Sequence, residues 1–282
     1  MSPAVMAAVL FGALLHASWN ALIKSSNDKD LDTALIQLIG SLLAVPLVAL
    51  VGWPPAAAWP FIGTSVVIHI GYYIALTGAY RHGDLGLTYP LMRGVAPLLV
   101  AISASFALGE TLSWQAWLGV AGISSGILLL ALRPHLAAQP KAVAFALANA
   151  VIIALYTVVD GQGVRLAGAT LQSTIQYVAA LFVLDGWPYA LLILAGRGRA
   201  FPRYAVKRWP IAMVGALASL ASYGIALWAM TRAPVAMVAA LRETSVLFAV
   251  LLGTWFLKEK FTARRAIGAC AVVGGVMVLR LA

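Results

Sequence analysis

Apolar stretches long enough to cross a lipid bilayer follow one another along almost the whole chain. A helix needs about 20 predominantly apolar residues to cross the hydrocarbon core. Ten windows meet this requirement: 4–24, 33–52, 59–80, 86–108, 113–132, 141–160, 171–195, 208–231, 234–257 and 262–281. The connections between them are too short for a separate soluble domain. The sequence therefore predicts an all-α polytopic membrane protein with ten transmembrane helices.

The composition excludes a soluble globular protein. Hydrophobic residues make up 62% of the 282 positions and charged residues 10%, whereas about 25% of a soluble domain is charged. The net charge of +10 does not indicate a nucleic-acid partner, because the cations lie in short connections between apolar windows. The expected partners are the lipid bilayer and a small-molecule substrate, with the protein acting as a monomer or a homodimer.

The positions of lysine and arginine predict the orientation in the membrane. Ten spans place both termini on the same side, and most loop cations then fall on one face of the membrane. Only Arg165, Arg232 and Arg280 fall on the other face. Because cytoplasmic loops are enriched in Lys and Arg, we expect a bacterial-type inner (plasma) membrane with both termini periplasmic. The first residues lack a basic region and a cleavage site, and are interpreted as leading into the first helix.

The two halves of the chain share a spaced pattern of residues. A distance of 149 positions separates Arg93 from Arg242, Glu110 from Glu259, Gly119 from Gly268 and Gly126 from Gly275, and a distance of 151 separates Tyr72 from Tyr223. The alternative is a chance match among common small and apolar residues. Because five spans per half is an odd number, the pattern predicts that residues 1–138 and 139–282 form two inverted five-helix repeats around a central cavity.

Arg93 and Arg242 lie far from either end of their apolar windows. An ionised side chain in the hydrocarbon region costs at least ~2.5 kcal/mol, and it usually faces the bundle interior or a wet cavity. A guanidinium offers a planar fork of donors to a carboxylate or phosphate. The alternative is structural pairing, since Glu243 is adjacent to Arg242. We expect both arginines to approach the midplane and to bind an anionic group.

Two windows are expected to contain irregular helices. Pro90 and Pro97 flank Arg93 in the fourth window, and a proline-interrupted helix beside an ionisable residue is typical of a transporter site. In the seventh window, the run Asp185-Gly186-Trp187-Pro188 is expected to break the helix or to end it early.

Further polar and aromatic side chains are candidates for the same site. Glu243 is either a proton carrier or a neutralising partner of the arginines, and His16 is either a protonation switch or a hydrogen-bonded packing residue. Asn20 is expected to face the cavity, because lipid offers its amide no partner. The aromatic candidates for substrate contact are Trp19, Tyr72, Tyr156 and Tyr223, although aromatic residues at span ends also serve as interfacial anchors.

Small-residue stripes occupy the fifth and tenth windows. They contain Gly119, Gly122 and Gly126 in the fifth and Gly268 and Gly275 in the tenth. We expect these glycines to allow close packing of helices. A dimer face is the alternative.

Sequence motifs in both halves carry a resemblance to a known family. They are Trp19-Asn20, Leu108-Gly109-Glu110-Thr111-Leu112 before Trp117-Leu118-Gly119, and Leu257-Lys258-Glu259-Lys260-Phe261 before Gly268. On these residues the chain resembles the drug/metabolite transporter superfamily, in its EamA-type ten-helix branch. The resemblance implies secondary transport, commonly export of amino acids or other metabolites, through a cavity lined by helices one, three, four, six, eight and nine.

One departure from related families bears on the substrate. Small multidrug-resistance proteins, which resemble one half of this fold, carry a glutamate in the middle of the first helix. Here that region reads Leu15-His16-Ala17-Ser18-Trp19 and holds no carboxylate. This argues against cation/proton exchange of that type, and the two arginines favour an anionic substrate.

The leading hypothesis is a secondary active exporter of a small organic metabolite such as an amino acid or another carboxylate. One alternative is an exporter of neutral or aromatic amino acids in which the arginines are structural, and another is a passive channel. An intramembrane enzyme is the alternative from a different class. The sequence holds no paired Asp motif for a diphosphate-bound magnesium, no H-E-x-x-H and no G-x-S-x-G, so no catalytic residue, cofactor or metal is expected.

Overall fold

The computed structural model describes residues 1–24, 26–83, 85–131, 139–198, 200–256 and 262–282, and every regular element in these ranges is a helix. The helices are α1 (Pro3–Lys24), α2 (Lys29–Val51), a 3-10 turn (Ala56–Ala58), α3 (Trp59–His82), α4 (Leu85–Ala107), α5 (Trp114–Ala131), α6 (Pro140–Leu166), α7 (Leu171–Arg197), α8 (Ala200–Met230), α9 (Val235–Arg242), α10 (Ser245–Phe256) and α11 (Ala263–Leu281).

Seven of the described helices, α1 to α4 and α6 to α8, are long and apolar enough to cross a membrane. The remaining three apolar windows are occupied by α5, by α9 together with α10, and by α11. Large apolar side chains point away from the bundle, among them Phe106, which is 88% exposed, and Leu50, which is 81% exposed. Such an outer surface is stable only in lipid. The protein is therefore a helical polytopic membrane protein.

Most close helix pairs bring together parts of the chain that are distant in sequence. α1 lies against α8, α2 against α7, α3 against α6, and α4 against both α5 and α6. The short helix α9 contacts α1, α4, α5, α6 and α8, and every residue from Val235 to Arg242 is buried. A helix that is apolar on all sides belongs in the interior. As a result, the end of α9 reaches the centre of the bundle.

The interrupted helix lies in the ninth window. α4 is continuous through Pro90 and Pro97, and α7 is continuous through Gly186 and Pro188, so both expected breaks are wrong. Helices in lipid tolerate proline because neighbouring groups satisfy the freed backbone atoms. Gly186 also has a packing role, because a side chain there would collide with α2 at the Gln37 carbonyl oxygen.

The break separates α9 from α10 at residues 243–244. There the backbone changes to a tighter pattern, in which the Thr244 amide donates to the Leu241 carbonyl at 3.0 Å and the Leu247 amide donates to the Thr244 carbonyl at 2.8 Å. The Thr244 hydroxyl also donates to the Leu241 carbonyl, at 2.6 Å. Threonine and serine compete with the helix for backbone partners in this way. The side chains of Arg242 and Glu243 therefore leave the backbone in directions that differ from those in a regular α-helix.

The glycine stripes of α5 and α11 face each other. A Cβ atom added to Gly126 would lie 2.7 Å from the Gly268 carbonyl oxygen, and one added to Gly268 would lie 2.8 Å from the Gly126 carbonyl oxygen. Gly119 and Gly275 show the same reciprocal contact, at 3.0 Å and 2.8 Å. The two backbones touch because no side chain separates them. The expected close packing is present, and it occurs within one chain.

Candidate functional site

A cavity of about 90 Å³ lies inside the helical bundle. Its walls come from α1, α2, α3, α4, α6, α7, α8 and α9, and they combine aromatic, cationic, acidic and small polar side chains. The lining residues are His16, Trp19, Gln37, His69, Tyr72, Tyr73, Arg93, Tyr156, Leu181, Phe182, Asp185, Ser219, Ser222, Tyr223 and Arg242. Both predicted arginines therefore reach one cavity.

Both terminal nitrogens of Arg93 have protein partners. Its Nη1 donates to both carboxylate oxygens of Glu243, at 3.0 Å and 3.3 Å. Its Nη2 lies 2.7 Å from Nε2 of His16. Because a guanidinium only donates, the His16 nitrogen must accept this hydrogen bond, and the imidazole is neutral in this arrangement. The positive charge of Arg93 is thus balanced and its orientation is fixed.

Arg242 retains free donor capacity although it is only 5% exposed. Its Nη2 donates to the Tyr156 hydroxyl at 3.2 Å, and its guanidinium carbon lies 5.9 Å from the centre of the Tyr223 ring. Its Nε lies 4.0 Å from Glu243, too far for a hydrogen bond, and has no hydrogen-bond partner among the described residues. Arg242 is therefore the cation of the cavity with unused hydrogen-bonding capacity.

The first helix places its two candidate residues differently. Trp19 lines the cavity, and its Nε1 has no hydrogen-bond partner among the described residues. Asn20 is not among the lining residues, and its Nδ2 donates to the His16 carbonyl at 2.7 Å. The structure therefore does not place Asn20 with the lining residues, and its own helix accepts one hydrogen bond from the amide.

Three predicted tyrosines line the cavity together with His69. The His69 ring stacks on Tyr156 with centroids 4.5 Å apart, and Tyr72 meets Tyr156 edge-on at 6.2 Å. The hydroxyl of Tyr223 donates to Asp160. These rings give the cavity an apolar wall next to the arginines, and stacked or edge-on rings hold one another in position.

Asp160 is a functional candidate that the apolar windows of the sequence do not reveal. It is fully buried and accepts hydrogen bonds from Ser65 and Tyr177, each at 2.9 Å, in addition to Tyr223. The sixth window was taken to end at this residue, but α6 continues to Leu166. Asp160 therefore lies inside the helix and not at its end, and an ionisable residue inside a membrane span indicates a functional site.

Asp185, Gln37 and Tyr73 form a second polar group in the cavity wall. Nε2 of Gln37 donates to the Tyr73 hydroxyl at 2.6 Å, and this hydroxyl donates to Oδ2 of Asp185 at 3.4 Å. Asp185 lies in the run that the sequence predicts to be a helix break, because glycine and proline follow it. In the continuous helix α7 its carboxylate faces the cavity instead.

Other ion pairs connect helices without lining the cavity. Arg165 meets Glu110 at 2.7 Å, and Glu110 also accepts the Val235 backbone N–H at 2.8 Å. Arg208 meets Asp32 at 2.7 Å. Within the described part of the chain, no group of three or more His, Cys, Asp and Glu side chains is arranged to hold a metal ion.

Comparisons with known proteins agree with this architecture. Residues 140–281 match the EamA-like transporter family. A protein from Sinorhizobium sp, described as "Uncharacterized transporter in cobO 3'region", is 31% identical over an alignment of 134 residues that covers 94% of that protein and 43% of this chain. One solved crystal structure of a protein has the same fold, with a TM-score of 0.76 and 20% identity over 98% of this chain and 95% of that one. The chain belongs to the EamA-like transporter family of the drug/metabolite transporter superfamily.

Proposed function

We propose that the protein is a secondary active exporter of a small organic metabolite that carries a carboxylate or a similar anion. The observation that carries this proposal is the free Nε donor of Arg242 in a buried cavity. A buried donor without a partner is costly, and a ligand acceptor would remove that cost. Membership of a transporter family supports transport and argues against an enzyme.

Arg242 is the proposed anion-binding residue, and Arg93 supports it indirectly. Arg93 already has Glu243 and His16 as partners, so an anion reaching it must compete with a carboxylate. Trp19 adds a second unpartnered N–H to the cavity wall. Two free donors at these positions favour an acceptor group on the ligand, and the charge of Arg242 favours an anionic one.

Tyr72, Tyr156 and Tyr223 support a second candidate function, the export of neutral or aromatic amino acids with structural arginines. The three rings line one cavity, and aromatic walls suit apolar or aromatic side chains. In this case the arginines would only organise the site, and Arg242 would make no contact with substrate.

The proposed mechanism is alternating access by two inverted five-helix repeats, 1–138 and 139–282. The equivalent residues Arg93 and Arg242 reach one cavity, and the glycine contacts are reciprocal, as a two-fold axis requires. The family match over 140–281 and the half-sized relative also support a repeated unit. In this mechanism ten spans rock about the central site.

Glu243 and His16 are the proposed coupling residues. Both contact Arg93, so a proton on either group changes the partners of that guanidinium. Protonated Glu243 no longer neutralises Arg93, which then becomes available to the substrate anion. The proposed location is a bacterial-type inner membrane with periplasmic termini, supported by the positive-inside distribution of loop cations.

The test is ligand-induced thermal stabilisation of the detergent-solubilised protein by carboxylates, phosphates and neutral analogues. A ligand at 100 times its Kd stabilises the folded state by about 2.7 kcal/mol. We expect carboxylates to stabilise the wild type and Arg93→Lys but not Arg242→Ala. Equal stabilisation of Arg242→Ala would reject the anion site, and responses to neutral aromatic compounds alone would favour the second candidate.

A further inference from the structure

We infer that Asp185 binds the ammonium group of the substrate, so that the transported molecule is a zwitterion with its carboxylate at Arg242 and its amino group at Asp185. This inference rests on the proposed anion site at Arg242. It assigns a second, oppositely charged contact to the same cavity.

Asp185 differs from the other described acidic residues in its lack of partners. Asp32, Glu110 and Glu243 each form an ion pair at 3.0 Å or less, and Asp160 accepts three hydroxyl groups. Among the described side chains, Tyr73 donates a long hydrogen bond of 3.4 Å to Asp185. A carboxylate this close to the bilayer interior needs a compensating cation or proton.

The surroundings of Asp185 hold the carboxylate in position without neutralising it. The single proton of the Tyr73 hydroxyl points to Asp185, because Gln37 donates to the same hydroxyl oxygen from the other side. The Tyr73 ring is itself stacked on Tyr189 with centroids 4.7 Å apart. Such support fixes the geometry of a binding group while leaving acceptor positions open to a ligand.

The charges of the cavity also favour a zwitterion. Arg93 and Glu243 cancel each other, so that among the arginine and carboxylate side chains of the lining, which also contains His69, Arg242 is the remaining cation and Asp185 the remaining anion. They enter from different helices, α9 and α7. A simple anion would satisfy Arg242 and leave Asp185 unpaired, and a simple amine would do the reverse. A molecule with both groups satisfies both walls at once.

The test measures Kd by titration calorimetry for three matched series, each made of an amino acid, its deaminated acid and its decarboxylated amine. The series are alanine, propionate and ethylamine; leucine, 4-methylpentanoate and 3-methylbutylamine; and phenylalanine, 3-phenylpropanoate and 2-phenylethylamine. In the wild type, at least one amino acid should bind more tightly than its deaminated and decarboxylated analogues, by roughly 10- to 100-fold, as expected for a charged hydrogen bond. In Asp185→Asn, the amino acid and its deaminated analogue should bind equally, whereas the preference over the amine should remain.

Asp30→Asn is the matched control, because Asp30 is an exposed acidic residue outside the cavity, and it should bind like the wild type. Ligand-free melting temperatures, with Asp185→Glu as a second variant, separate loss of binding from loss of fold. Tighter binding of the deaminated acid than of the amino acid by the wild type would overturn the ammonium site and leave the anion site intact. Unchanged discrimination in Asp185→Asn would overturn it as well.

Two further outcomes are decisive. Stabilisation of the wild type by NaCl alone, abolished in Asp185→Asn, would make a metal cation the occupant and overturn the proposal. A wild type that binds only the amines would overturn the anion site at Arg242, and absence of binding across all three series would reject both assignments.

Discussion

The guanidinium of Arg93 meets the carboxylate of Glu243 at 3.0 Å, although 150 positions of the chain separate the two residues. Their side chains are 6% and 3% exposed. The same carboxylate lies 4.0 Å from Arg242, so one acidic group faces two guanidinium groups. The balance among these three residues determines both the stability of the interior and the charge offered to a ligand.

Removal of Glu243 is expected to destabilise the protein more than removal of Arg93. Glu243→Gln leaves two buried arginines without a carboxylate, whereas Arg93→Met leaves Glu243 close to Arg242. Breaking a buried pair costs about 3–5 kcal/mol, and replacing both partners with apolar residues often restores stability. Melting temperatures in detergent should therefore rank Glu243→Gln lowest, with the Arg93→Met/Glu243→Met double variant above it. The reverse order would show that Glu243 does not neutralise both arginines.

Substitution of Gly275 by alanine is expected to destabilise the contact between α5 and α11. The new Cβ would lie 2.7 Å from the Ile123 backbone nitrogen and 2.8 Å from the Gly119 carbonyl oxygen. Overpacking of this kind costs about 1–3 kcal/mol. Gly274→Ala is the matched control, because nothing lies within 4 Å of its added Cβ, and alanine favours a helix over glycine. Thermal unfolding should lower the midpoint for Gly275→Ala and preserve or raise it for Gly274→Ala; equal effects would exclude the close contact.

Glu110→Ala is expected to lower the free energy of unfolding by more than a substitution that removes an exposed ion pair. Glu110 pairs with Arg165 at 2.7 Å and is 8% exposed, and it accepts the Val235 N–H at the start of α9. Its loss leaves a buried helix end without its acceptor. The control is Asp30→Asn, since Asp30 is 55% exposed and lies 3.8 Å from a half-exposed Arg197, and exposed pairs contribute about 0–1 kcal/mol. Comparison of unfolding midpoints checks this, and a similar loss in both variants would contradict it.

Asp160→Ala is expected to be more destabilising than Tyr177→Phe. The alanine variant leaves Ser65, Tyr177 and Tyr223 without their acceptor, whereas the phenylalanine variant removes one donor. Each unsatisfied buried group costs about 1–3 kcal/mol. Melting temperatures of the two variants provide the check, and a larger loss for Tyr177→Phe would mean that ring packing outweighs the hydrogen bonds.

The helical membrane class could be predicted because long apolar windows have few other stable arrangements. The cavity arginines could also be predicted, because an ionised side chain such as Arg93 in an apolar window requires a polar environment inside the bundle. The break after Arg242 could not be predicted, because neither proline nor glycine marks it. The prolines at 90 and 97 wrongly predicted an interruption of α4. Helices in a bilayer stay continuous when neighbouring groups form hydrogen bonds with the backbone atoms that proline leaves unpaired.

Contacts between distant parts of the chain were the least predictable feature of the site. The sequence showed Glu243 next to Arg242, yet its close partner is Arg93, and this depends on how α4 and α9 pack. Asp185 was obscured by Gly186 and Pro188, whose local preferences indicated a helix end. Local patterns locate charges along one helix, but only the packed bundle determines which charges meet.

The backbone contact between α5 and α11 has a mechanical consequence. Separating the two helices would lose the close packing of their glycine surfaces, and such packing is what holds helices together in lipid. We therefore expect this pair to act as a pivot whose spacing is constant while the cavity opens to either side. Spin labels at the lipid-facing Leu118 and Met277 should keep one separation through the transport cycle, and two separations would identify the pair as a moving part.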